Sequence, residues 1–196
     1  MTIAQSIRGW RVVDIVVAAV LSVAFGVVFV AWNALWGFTT PLFAAVPAAQ
    51  AIIYGVWLLP GVLVGLIVRR PGAALFAGIL SASVSALIGS QWGLDTIVSG
   101  ALQGGGAELA FALGLYRTWN LPTAIGAALL SGVGAIVHDI AVYYANLGVA
   151  YWIVYGATLL VSAVVIAGIG SWYLLRRLVP TGVLAPFAAG REQREV

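Results

Sequence analysis

The sequence predicts an all-α integral membrane protein: a six-transmembrane-helix bundle with both termini on the cytoplasmic side. Three observations carry this. Of 196 residues, 63% are hydrophobic and 8% are charged, with a mean hydropathy of +1.09. An ordinary soluble domain has about 45–50% apolar and about 25% charged residues. The apolar residues fall into six runs close to the roughly 20 residues that a spanning helix needs. All nine basic residues are arginines, and they gather at the termini and in every second gap between those runs. A soluble domain, a disordered chain and a nucleic-acid binder are excluded, because water would face most of the apolar side chains. The pI near 9.6 reflects a net charge of only +3. With no cysteine, disulfides, thiolate metal sites and cysteine nucleophiles are excluded too.

The first run, Val12–Trp32, is too long for a cleaved leader and lacks a convincing cleavage site. It carries Ala18, Ser22 and Gly26 at intervals of four, a stripe that lets another helix approach closely. The spacing suits a partner and internal packing equally. Asp14, one turn from Arg11, reads as an interfacial pair. The second run, Ala48–Val68, holds Tyr54 and Trp57 deeper than an interfacial aromatic belt requires. The third, Gly72–Gly89, is short. Asp95 precedes the fourth run, Thr96–Tyr116, where a carboxylate favours the helix N-terminus. The fifth is Pro122–Ala145 and the sixth Ala150–Leu175. Residues 178–196 form a short cytoplasmic tail, and the whole of 1–196 reads as a single membrane domain. Leu, Ala and Gly mix with Val and Ile without strict alternation, which favours helices over barrel strands.

Arginine placement sets the orientation. Arg8, Arg11, Arg69, Arg70, Arg117, Arg176, Arg177, Arg191 and Arg194 all fall on one side of a six-span chain. The opposite loops, near 33–47, 90–95 and 146–149, hold none. By the positive-inside rule the arginine side is cytoplasmic.

Ionisable groups at membrane depth cost about 2.5–3.5 kcal/mol on insertion scales, so each needs a reason. Glu108 and Asp139 lie well inside their runs with no arginine at that depth, which leaves a proton, an ion or a cationic ligand as counter-charge. His138 adjoins Asp139 but points about 100° away on a helix, and reads as a packing residue. Trp92 in the second outer loop, Tyr143 near the third, and Tyr54 and Trp57 share the outer side with these acids. Aromatic faces beside carboxylates suit a flat or cationic organic ligand. The string Gln103-Gly104-Gly105-Gly106-Ala107-Glu108 is the most unusual in the chain. Each glycine weakens a helix by about 1 kcal/mol. In return they permit close helix packing, or a local opening that draws Gln103 and Glu108 together from about 140° apart. No GxxxxGK[ST] loop occurs, so ATP would be hydrolysed by another chain.

Tyr54-Gly55-Val56-Trp57, Arg69-Arg70-Pro71-Gly72-Ala73-Ala74-Leu75 and Gln103-Gly104-Gly105-Gly106-Ala107-Glu108 resemble, in order and spacing, the YkoE family. The likeness runs from about residue 10 to residue 190 and includes Thr181-Gly182-Val183-Leu184. This family supplies substrate-binding (S) components of energy-coupling factor (ECF) transporters, associated with thiamine and hydroxymethylpyrimidine (HMP). The resemblance implies a six-helix, multi-pass subunit of a bacterial-type plasma membrane that captures the vitamin from outside. It would work with a transmembrane coupling subunit and two cytoplasmic ATPases that hold ATP and Mg, with no cofactor or metal in this chain. It implies substrate contacts from Glu108, Gln103, Trp57, Tyr54, Asp139, Trp92 and Tyr143. Ala18, Ser22 and Gly26 would face the coupling subunit. One departure is that the third run has Gly78 and Ser85 where the family pattern often has acids. The residues alone leave a second reading open, a stand-alone proton- or ion-coupled carrier of a small organic cation.

Overall fold

A computed structural model describes residues 9–191, so Arg8 and Arg194 lie outside the described residues. The described chain is helical throughout: α1 (Val12–Thr39), α2 (Gly55–Val68), α3 (Ala73–Ile88), α4 (Asp95–Leu113), α5 (Leu121–Val142), α6 (Gly148–Ser162), α7 (Gly170–Leu178) and the short α8 (Ala188–Arg191). Tight 3-10 turns at Thr40–Phe43 and Pro47–Ile53 link α1 to α2, and a π-helical stretch, Ala163–Ile169, joins α6 to α7. Four helical runs are long and apolar enough to cross a membrane: Val12–Phe43, Pro47–Val68, Leu121–Val142 and Gly148–Thr181. Ala73–Ile88 is apolar but shorter. α4 is diluted by Asp95, Gln103, Glu108 and its glycines.

The ends of these helices follow from their sequence. Asn120 caps α5, its side-chain oxygen accepting the Thr123 N–H at 3.0 Å, and Pro122 occupies the first turn, where its missing N–H costs nothing. α1 begins at a reciprocal cap: Asp14 accepts the Arg11 backbone N–H at 3.0 Å and its guanidinium at 2.6 Å. The expected Arg11–Asp14 pair forms, and Asp14, fully buried, also takes Arg70 Nε at 3.4 Å from the α2–α3 turn, so the pair is a junction as well.

α2 is the centre of the bundle, with α1, α3, α4, α5 and the C-terminal helical run all packed on it. From Pro60 to Val68 it is buried on every side, the all-round apolar pattern of a core helix. Ser162 pins the joint at its start, donating to the Ile52 carbonyl at 2.6 Å and accepting the Gly55 N–H at 2.8 Å. That contact lies where α6 gives way to the π-helical stretch.

Small residues set the helix spacings. The Ala18, Ser22 and Gly26 stripe faces inward and is buried: a Cβ on Gly26 would lie 2.8 Å from the Ser81 carbonyl oxygen of α3. Of the two uses that the spacing suits, internal packing is the one seen within the described chain, and valines at 12, 16, 20, 23 and 27 form the outward face of α1. The triple glycine is likewise a packing device. A Cβ on Gly104 would sit 2.8 Å from the Ala74 carbonyl oxygen, whereas one on Gly106 would run into the Leu130 carbonyl of α5. Gly78, at the position the family often gives to an acid, closes against Gly100 and Gly104 across the α3–α4 crossing. α4 stays helical through the glycines, so Gln103 and Glu108 are not drawn together.

These contacts separate the three glycines experimentally. Gly106→Ala is expected to destabilise the protein by about 1–3 kcal/mol through overpacking. Gly105→Ala, whose Cβ would meet only Leu75 Cδ1 at 3.9 Å, is expected to be neutral or to stabilise by up to about 1 kcal/mol. Thermal unfolding of the two variants in detergent is the check.

Candidate binding pocket

One end of the bundle holds a cavity with an empty volume of about 630 Å³, its mouth included. The end of α1 contributes Phe29, Asn33 and Trp36, and the start of α2 Tyr54 and Trp57. Asp95, Ser99 and Gln103 come from α4, and Ser85 from α3. Asp139, Tyr143, Tyr144 and Tyr155 close the side formed by α5 and α6. No arginine lines it among the described residues.

The aromatic wall is built around Trp57. Its ring centroid is 5.0 Å from those of Trp36 and Tyr54 and 5.5 Å from that of Trp92. The indole N–H donates to Asn33 Oδ1 at 3.1 Å, and the Asn33 amide donates in turn to Ser85 at 3.3 Å. This relay holds the indole against its neighbours and explains an asparagine inside an otherwise apolar helix. Gln103 donates to the Tyr54 hydroxyl at 3.2 Å and to Ser99 at 2.7 Å. The loop above is tied down as well, because Gln50 donates to the Trp36 carbonyl at 2.7 Å and Trp32 to that of Ile53 at 3.0 Å.

The acidic wall is a chain of hydrogen-bonded groups. His138 bridges two carboxylates, with Nδ1 2.9 Å from Asp139 and Nε2 3.1 Å from Asp95. Tyr155 donates to the second oxygen of Asp139 at 2.5 Å, and Tyr143 donates to the second oxygen of Asp95. His138 is thus no mere packing residue, and Asp95 does more than begin a helix. Side-chain reach overcomes the angular separation of adjacent helical positions.

Of the seven expected substrate contacts, Tyr54, Trp57, Trp92, Gln103, Asp139 and Tyr143 line this cavity together. Glu108 does not, and that expectation is corrected. Five residues beyond Gln103, it lies about 7.5 Å further along the helix axis and on another face. Its carboxylate accepts the N–H groups of Gly72 at 2.6 Å, Ala74 at 2.9 Å and Leu75 at 3.4 Å, the first turn of α3. It also accepts the Tyr116 hydroxyl at 2.6 Å. Gly72 takes φ 86°, which brings its N–H into this cap and is open to glycine at little cost. The counter-charge missing from the sequence is the positive end of a helix.

Sequence reasoning did not single out Asn33, Trp36, Tyr144 or Tyr155 as binding residues. A lone asparagine among valines and tryptophans was the available sign for the first. The tyrosines were hidden among interfacial aromatics.

The family described as "ABC-type cobalt transport system, permease component" matches residues 13–134. A Bacillus subtilis (strain 168) protein that goes under the name HMP/thiamine permease protein YkoE is 32% identical over 189 residues, covering 96% of this chain and 94% of its own. A crystal structure of an S component of an ECF transporter superposes with a TM-score of 0.90 at 32% identity, covering 95% of this chain and 94% of that one.

The position of Glu108 generates a prediction. Glu108→Gln keeps the shape but weakens several charge-assisted hydrogen bonds, each worth about 1.5–3 kcal/mol. Its expected effect is a loss of stability of that order in thermal unfolding, with the cavity's ligand affinity within threefold of the parent.

Proposed function

Because the chain belongs to the YkoE family of ECF-transporter S components, we propose that it captures thiamine or HMP from outside the cell for import. The observation that carries this reading is the chemistry of the cavity: a wall of tryptophan and tyrosine opposite two carboxylates, with no arginine lining it. An aminopyrimidine is flat and polar at its edge, so it stacks on rings while its amino group donates to carboxylates or amides. The thiazolium of thiamine adds a permanent positive charge for the same wall. Tyr54, Trp57, Trp92, Gln103, Asp139 and Tyr143 are the proposed contacts.

The same reading gives the topology and partners. Six spanning segments with both termini cytoplasmic place Arg11, Arg69, Arg70, Arg117, Arg176 and Arg177 on the inner side, at the opposite helix ends from the cavity. The cavity then opens outward from a plasma membrane of bacterial type. Release inward is driven by a transmembrane coupling subunit with two cytoplasmic ATPases that bind ATP and Mg. This chain has no nucleotide loop of its own. A stand-alone carrier is the competing reading, and it predicts uptake by this chain alone.

Titration of the purified chain in detergent with thiamine and with HMP, followed by tryptophan fluorescence, tests the assignment. Saturable quenching is expected, because Trp36, Trp57 and Trp92 surround the site. Trp57→Ala is expected to weaken binding by tenfold or more, about 1.4 kcal/mol. Absence of quenching by both compounds in folded protein removes the vitamin assignment. Uptake in cells lacking any coupling ATPase removes the S-component mechanism.

A further inference from the structure

We propose that Asp95, His138 and Asp139 hold one proton between them, on the imidazole, and present a single net negative charge that makes the cavity prefer a singly charged organic cation over a neutral pyrimidine. The inference rests on the reading of this cavity as the substrate pocket and goes beyond it by choosing between the two ligands. Its basis is a count of donors and acceptors. A neutral imidazole has one N–H and one lone pair. His138 has both ring nitrogens on carboxylate oxygens, at 2.9 and 3.1 Å, and its side chain is only 3% exposed. In either neutral tautomer one nitrogen would turn its lone pair on a carboxylate oxygen. The imidazolium donates at both. Neither acid needs a proton of its own, because Tyr155 donates to the remaining oxygen of Asp139 and Tyr143 to that of Asp95.

The charges that face one another are therefore two carboxylates and one imidazolium, with Tyr143 and Tyr155 as neutral donors. Their sum is one negative charge. Asp95 and Asp139 line the cavity, while His138 stands behind them and acts through them as a positioning residue. A neutral pyrimidine gains stacking and hydrogen bonds from this wall. A monocation gains those and a charge that the protein does not neutralise, beside the faces of Trp57 and Trp92.

The chain contains a single histidine, so 15N-histidine labelling of the full chain in detergent reports this group alone. Two protonated ring nitrogens are expected in the NMR spectrum. One bare, pyridine-type nitrogen overturns the shared proton. The selectivity arm is the ratio of thiamine to HMP affinity. It is expected to favour thiamine in the parent, to fall at least tenfold in Asp95→Asn, and to recover in Asp95→Glu, which restores the charge. Equal losses for both ligands in Asp95→Asn overturn the selector while leaving the pocket assignment in place. Failure of both ligands to bind the parent protein overturns the pocket assignment and the selector with it.

Discussion

A carboxylate among membrane helices has no water to turn to, so its donors must come from the chain itself. The described structure meets that constraint in three ways. Asp14 uses the guanidinium groups of Arg11 and Arg70, and thereby ties the start of α1 to the α2–α3 turn. Glu108 uses the exposed N–H groups of α3 and one phenol. Asp95 and Asp139 share a histidine and take one tyrosine each. The first two arrangements lie among packed helices at the arginine-bearing end, and their charges are spent on architecture. The third borders the cavity described above. Burial and acidity alone do not mark a site; the donor set around each acid does.

Packing explains why the cavity lies where it does. Glycine contacts bring α3, α4 and α5 close along the lengths that include Gly78, Gly100, Gly104, Gly106 and Gly134. Large side chains then crowd the cavity end, where Trp36, Tyr54, Trp57 and Trp92 meet edge to face or tilted rather than interdigitating as aliphatic chains do. Rings held at 5–6 Å centroid spacing and pinned by Asn33 leave a rigid-walled space. Such pre-formed walls reduce the ordering cost of binding.

Much of this was legible in the sequence because apolar periodicity and arginine placement act over whole segments. Composition revealed the membrane class, and the helical runs follow the expected order. The deep aromatics Tyr54 and Trp57 and the acid Asp139 stood out because lipid tolerates each of them poorly at depth. Glu108 stood out for the same reason, but it lies away from the cavity. Its partners are backbone N–H groups some 34–36 residues away in sequence, and no residue type announces those. The Ala18–Ser22–Gly26 stripe was ambiguous because small residues lower the approach distance for any helix, whether α3 or a partner. His138 was undervalued since helical angles describe Cβ directions, while an imidazole and an aspartate have reach enough to meet.

The floor of the cavity bears on transport. Below Tyr155 and the Gln103–Tyr54 contact, α2 presents Leu58, Val62, Leu66 and Ile67, each at most 1% exposed, to surrounding helices. No shift of a single side chain would open a path through that layer, because close-packed interiors do not yield continuously. A ligand seated in the cavity can leave the way it entered, or the packed bundle must rearrange or move as a body. Either inward course requires work, and the deep carboxylates are already committed to hydrogen bonds within the chain. Passage from the cavity to the other end of the bundle therefore requires a concerted change in helix packing rather than a local side-chain movement.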